Sequence, residues 1–150
     1  MLAVIATGLH NGDLGKKREE LIYNVSNVCI EELKLNRFKG VIHIKQSKSR
    51  KLMDDFAIGY ASMDRVETNE GNWWWGVIEV TNQYPKSLAK TLCHEWVHIK
   101  QYLRKELTMD GRTWKGKDTS NVPYHKQLCE KEAYKLQETL YNKCVDLKHL

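Results

Sequence analysis

The chain has 150 residues, of which 41% are hydrophobic and 29% charged, with two prolines and a formal net charge of +5. That length suits one domain over residues 1–150, and the composition can bury a core, which excludes a low-complexity or disordered chain. No apolar run approaches the roughly 18 residues of a membrane span, and the opening stretch 2–6 lacks a preceding basic residue and a following small-residue cleavage pattern, so no secretory signal is expected.

Taken in chain order, residues 12–37 begin charged and then place Leu21, Val25, Cys29 and Leu33 at helical spacing, which predicts one helix stopped near Gly40. Three β-rich runs follow at 41–44, 56–61 and 73–80, separated by turn-like stretches that include a basic turn through Lys51. They predict a small, mostly antiparallel three-stranded sheet. In the run Trp73-Trp74-Trp75, alternation puts Trp73 and Trp75 on one face and Trp74 on the other, so at least one is exposed. Sheet packing explains most of that run; a hydrophobic subsite or a base-stacking platform are the functional alternatives.

Pro85 and Ser87 start a second helix that runs without glycine or proline to about Glu106. Residues 108–122 hold Asp110, Gly111, Gly116, Asp118, Ser120 and Asn121, which is loop chemistry. A last helix, from about Pro123 to near Lys148, carries Cys129, Ala133, Leu136, Leu140, Cys144 and Leu147 on one stripe. The expected class is α+β.

Cys29, Cys93, Cys129 and Cys144 form no CxxC pair and no dense framework, which excludes a zinc ribbon and suits reduced thiols in a cytoplasm. The positive balance favours polyanions only weakly, because the basic residues are spread over 16–18, 45–51 and 112–117. Solubility is its simplest use.

The second helix contains His94-Glu95-Trp96-Val97-His98, the HExxH pattern. Residues four apart share a helix face, so two imidazoles reach one metal ion while the intervening glutamate stands beside its open position. Leu88, Leu92, Trp96, Ile99 and Leu103 fall on the opposite stripe, so the helix is central and its histidine face looks into a cleft. A catalytic zinc takes three protein ligands. Downstream, Glu130, Glu132 and His125 are available, and periodicity does not choose among them; Cys129 lies on the core stripe and is expected to pack.

The segment 91–103, with Glu106-Leu107, Trp114-Lys115-Gly116-Lys117, Tyr124 and Glu130-Lys131-Glu132-Ala133-Tyr134, resembles the small zinc metallopeptidases of bacteriophages and prophages. These are similar to minimal gluzincins, in which a glutamate on the next long helix completes the site. In HtpX-type proteases with a Glu-x-Glu-Ala element the first glutamate is the ligand, which implies Glu130 here. Two departures stand out: Leu128-Cys129 replaces a common Pro-Trp, and Tyr134 replaces the acidic residue that braces a histidine. SprT-like proteases, which take a histidine at the start of the following helix, keep His125 in view and suggest association with DNA.

The resemblance implies a zincin-like fold and a zinc endopeptidase acting on protein or peptide substrates, without membrane association, in the host cytoplasm if phage-encoded. His94, His98 and Glu130 would hold Zn2+, and Glu95 would be the general base. Tyr124, His125, Tyr102 and Tyr134 are candidates to stabilise the transition state, and strand 76–81 is the expected substrate-pairing edge. A nucleic-acid-binding protein with a zinc site is the competing expectation.

Overall fold

The computed structural model describes residues 1–8, 13–46, 59–81 and 83–148. Their elements are β1 (Leu2–Thr7), α1 (Asp13–Glu32), β2 (Gly40–Gln46), β3 (Gly59–Thr68), β4 (Gly71–Val80), α2 (Pro85–Leu103), β5 (Thr113–Trp114), β6 (Lys117–Asp118), a 3-10 turn (Tyr124–Lys126) and α3 (Leu128–Asp146). The class is α+β. Residues 47–51 of the expected basic turn, 56–58 of the expected second strand and Gly12 at the expected start of the first helix lie outside the described residues.

The main sheet has four strands, in the order β1-β2-β4-β3, rather than three. β1 pairs parallel with β2 and β2 parallel with β4; only β3 runs antiparallel, to β4. The expectation of a mostly antiparallel sheet is therefore corrected. The apolar run Leu2–Thr7 is itself a strand, and the 20-residue helix α1 is the crossover that makes β1 and β2 parallel neighbours. A second correction concerns the edge: β4 is interior, and the edge strand beside α2 is β3.

Alternation along β4 buries Trp74, Gly76, Ile78 and Val80 toward the helices and leaves Trp73 and Trp75 44% and 60% exposed on the other face. Gly76 is required by close packing. A Cβ there would stand 2.7 Å from Ile42 Cδ1 and 3.1 Å from Met63 Cε, within 3.4 Å of Ile99 Cδ1 on α2. The absent side chain lets α2 close onto the sheet.

α2 is the central element, packed against α1, α3, β3 and β4. Pro85 opens it, and every residue from Leu88 to Leu103 is buried except Lys90 and Lys100. Burying each of Leu88, Leu92 and Ile99 contributes about 1.5–3 kcal/mol. Trp96, fully buried, donates its Nε1–H to Ser26 Oγ on α1 at 3.0 Å, so the largest core side chain leaves no orphaned donor. Cys29 and Cys93 bring their sulfurs within 3.9 Å at the same junction, and all four cysteines are free and buried.

The three long helices end alike. Lys34, Lys105 and Lys148, each two residues past a helix, have φ of 57°, 58° and 58°, the left-handed cap usually taken by glycine. The amide of Leu35 then reaches back to Ile30 O at 2.9 Å and that of Glu106 to Gln101 O at 2.9 Å. The first helix thus ends at Glu32 and the second at Leu103, before the expected stops near Gly40 and Glu106. The last begins at Leu128 rather than about Pro123, because Gln127 is extended and its side chain is held by the carbonyls of Thr119 and Val122 at 3.3 and 3.1 Å. Among the described residues no helix is long and apolar enough to cross a membrane.

Candidate metal centre

His94 and His98 stand one turn apart on α2, with ring centroids 4.9 Å apart, and both point at the first turn of α3. There the carboxylate of Glu130 lies between them: Oε2 is 3.0 Å from His94 Nε2 and Oε1 is 2.7 Å from His98 Nε2. One ligand atom from each of the three lies within 4.8 Å of the others, and all three residues are buried. Two imidazole nitrogens and a carboxylate oxygen, facing one another out of bulk water, can hold a divalent ion. The helix start that presents Glu130 also favours its negative charge.

The far nitrogens of both rings are held as well. Gln137 Oε1 lies 3.0 Å from His94 Nδ1, and Gln101 Oε1 lies 2.8 Å from His98 Nδ1. The Tyr134 ring packs on His94 with centroids 4.6 Å apart and the planes tilted by 57°, while Gln137 supplies the hydrogen-bonding brace.

The electrostatics follow from burial and pairing. Burial opposes ionisation of Glu130, but hydrogen bonds with His94 and His98 outweigh it and bring its carboxyl down to about 2. Burial also works against the charged form of His98, and the Glu130 contact overcomes it, so His98 is raised. Glu95 is different. Burial pushes its carboxyl up, and the nearby imidazoles of His98 and His94 only partly counter that.

Glu95, His98 and Glu130 share the wall of a cavity of about 170 Å3, completed by Gly59 to Ala61 of β3, Tyr102, Tyr124 and Cys129 among others. Gly59 makes room for Glu95: a Cβ there would stand 3.1 Å from its Oε1. Tyr124 lies on the 3-10 turn at the cavity mouth, and burial together with Glu130 raises its hydroxyl well above the ordinary range, keeping it a neutral donor.

The other sequence candidates stand outside the His94–His98–Glu130 cluster. Glu132 accepts from Lys100 Nζ at 2.8 Å and from Gln101 Nε2 at 3.2 Å, and His125 is exposed on the 3-10 turn. Cys129 is buried and lines the cavity. Tyr102 is buried in the same wall, where burial pushes its hydroxyl up to about 12. Sequence reasoning missed Gln101 and Gln137. Their signal was helical spacing: Gln101 is three residues past His98, and Gln137 is seven past Glu130, on the same face.

No family model matches the chain, and no curated protein or solved structure matches it.

Proposed function

We propose that the protein is a zinc-dependent peptidase with a zincin-like architecture. The observation that carries this reading is the convergence of His94, His98 and Glu130, two of which, His98 and Glu130, share a cavity wall with a buried glutamate, Glu95. A site that merely held an ion would not need that fourth residue. The ligand set of two imidazoles and one carboxylate supports zinc and leaves a position open.

His94, His98 and Glu130 would hold the ion, which when bound would supply Lewis acidity toward a water molecule and the scissile carbonyl. Glu95 takes the proton as the water oxygen attacks the carbonyl carbon, and hands it to the amine nitrogen as the C–N bond breaks. Its raised affinity for protons, set by burial, suits that exchange. Tyr124 donates to the oxygen on which negative charge develops. The edge strand β3, whose residues Gly59 to Ala61 line the cavity, pairs with an extended substrate by backbone hydrogen bonds.

The test is Glu95→Gln in the purified chain, assayed on unfolded protein substrates with metal content measured alongside. The variant is expected to keep its ion and lose about 10²–10⁴-fold in turnover. Undiminished Glu95→Gln activity would refute the role. The competing reading, nucleic-acid binding through the exposed Trp73 and Trp75, is less well supported: Asp64 stands opposite Trp75 in the sheet register, and Lys45 on that face is paired with Glu79 at 3.2 Å.

A further inference from the structure

Both imidazoles of the centre end on a neutral amide rather than a carboxylate, and the orientation of one amide is dictated by its surroundings. Gln101 Nε2 donates to the Cys129 carbonyl at 2.9 Å and to the Glu132 carboxylate at 3.2 Å. Each of these partners only accepts, so the amide nitrogen must face them and Oε1 must face His98. Since Oε1 also only accepts, His98 Nδ1 carries a proton, and Nε2, on the Glu130 side, is the nitrogen left to bind an ion. Lys100 anchors the far end of this chain, with Nζ 2.8 Å from Glu132 and 2.7 Å from Glu106. A backbone carbonyl on α3 therefore decides, through Gln101, which nitrogen of His98 can bind an ion.

We propose that Gln101 and Gln137 are the positioning residues of the metal centre, and that their neutral amides leave the ion exchangeable rather than tightly sequestered. The inference rests on the metal-centre reading above. A carboxylate at Nδ1 strengthens an imidazole as a ligand by drawing on the ring proton, whereas an amide does so less. Glu95 and Glu130 already balance the charge of one divalent ion, and two carboxylate braces would add two more negative charges. The chain thus gives up affinity and keeps the ion electrophilic.

The experiment is competition for Zn2+ and Co2+ between a chromophoric chelator and the full chain, with the visible Co2+ band as a check on ligand geometry. Gln101→Leu and Gln137→Leu are each expected to lose about 10–100-fold in affinity. Gln137→Glu should bind more tightly than the wild type. That opposite sign separates positioning from packing, since loss of packing moves both Gln137 variants the same way. Gln101→Leu strands the buried Cys129 carbonyl, so if it fails to fold the two Gln137 variants decide. Leu variants within twofold of the wild type, or Gln137→Glu as weak as Gln137→Leu, overturn the inference while the metal centre stands. A wild type that takes up no ion, or whose binding survives His94→Ala, overturns the metal centre and this inference together.

Discussion

Without an ion in the candidate centre, Glu130 and His98 should form an ion pair whose pH dependence is set by the geometry around Glu130. In the ion-free chain the Glu130 carboxyl lies at about 2 against an ordinary 4.5, which at about 1.4 kcal/mol per pH unit sets a ceiling of about 3.5 kcal/mol. The same attraction raises His98, so it is counted once and discounted to about 2 kcal/mol. The sign runs in two directions. The depressed Glu130 stabilises fully above its ordinary value and less as pH falls toward about 2, whereas the raised His98 stabilises fully below 6.5 and less as pH rises through its higher value. The pair therefore contributes most between these limits. Glu130→Gln, unfolded with urea in the presence of chelator, should be about 2 kcal/mol less stable than wild type near about pH 5.5. At a pH above the raised value of His98 the gap should close or reverse, because the carboxylate then faces the His98 Nε2 lone pair, to which a glutamine amide can donate. An equal deficit at both pH values would refute the pairing and point to lost packing alone.

Three further outcomes follow from particular contacts. Gly59→Ala places a Cβ 2.6 Å from Thr91 Cγ2 and 3.1 Å from Glu95 Oε1; the cost should be about 1–3 kcal/mol by thermal melting, with turnover down and zinc affinity unchanged, since Glu95 is no ligand. Trp96→Phe removes the bond to Ser26 and leaves that hydroxyl buried and unpaired, which should lower stability by about 1–2 kcal/mol in urea. With an aromatic disulfide reagent, Cys129, which lines the cavity, should react first in the native state; Cys29, Cys93 and Cys144, held among three helices, should react only as the chain unfolds. Prompt native-state labelling of Cys93 would contradict the packing described for it.

Much of the centre was legible because helical geometry converts spacing directly into direction. His94, Glu95 and His98 need only the turn of one helix to share a face, and the opposite stripe from Leu88 to Leu103 already made that helix central. The helix ends were harder, because Lys34, Lys105 and Lys148 take a left-handed conformation that a lysine does not advertise. Periodicity marks the alternation in Trp73-Trp74-Trp75 but carries no information on whether a strand runs parallel or lies at an edge. The β3–β4 hairpin is local, closing between Thr68 and Gly71, whereas the parallel pairing of β4 with β2 joins strands far apart in sequence and places β4 in the interior.

What the sequence determined by itself, then, is the helix that carries two imidazoles and a glutamate, and the α+β alternation of elements around it. Periodicity left Glu130 and Glu132 open and only the resemblance favoured Glu130; in the tertiary structure α3 packs on α2 so that one carboxylate meets both imidazoles while the other meets Lys100. Two residues apart on a helix, these glutamates differ by about 200° in direction. Only the placement of the neighbouring helix decides which of them faces the histidines, and the same placement brings Gln101 and Gln137 to the far side of each ring.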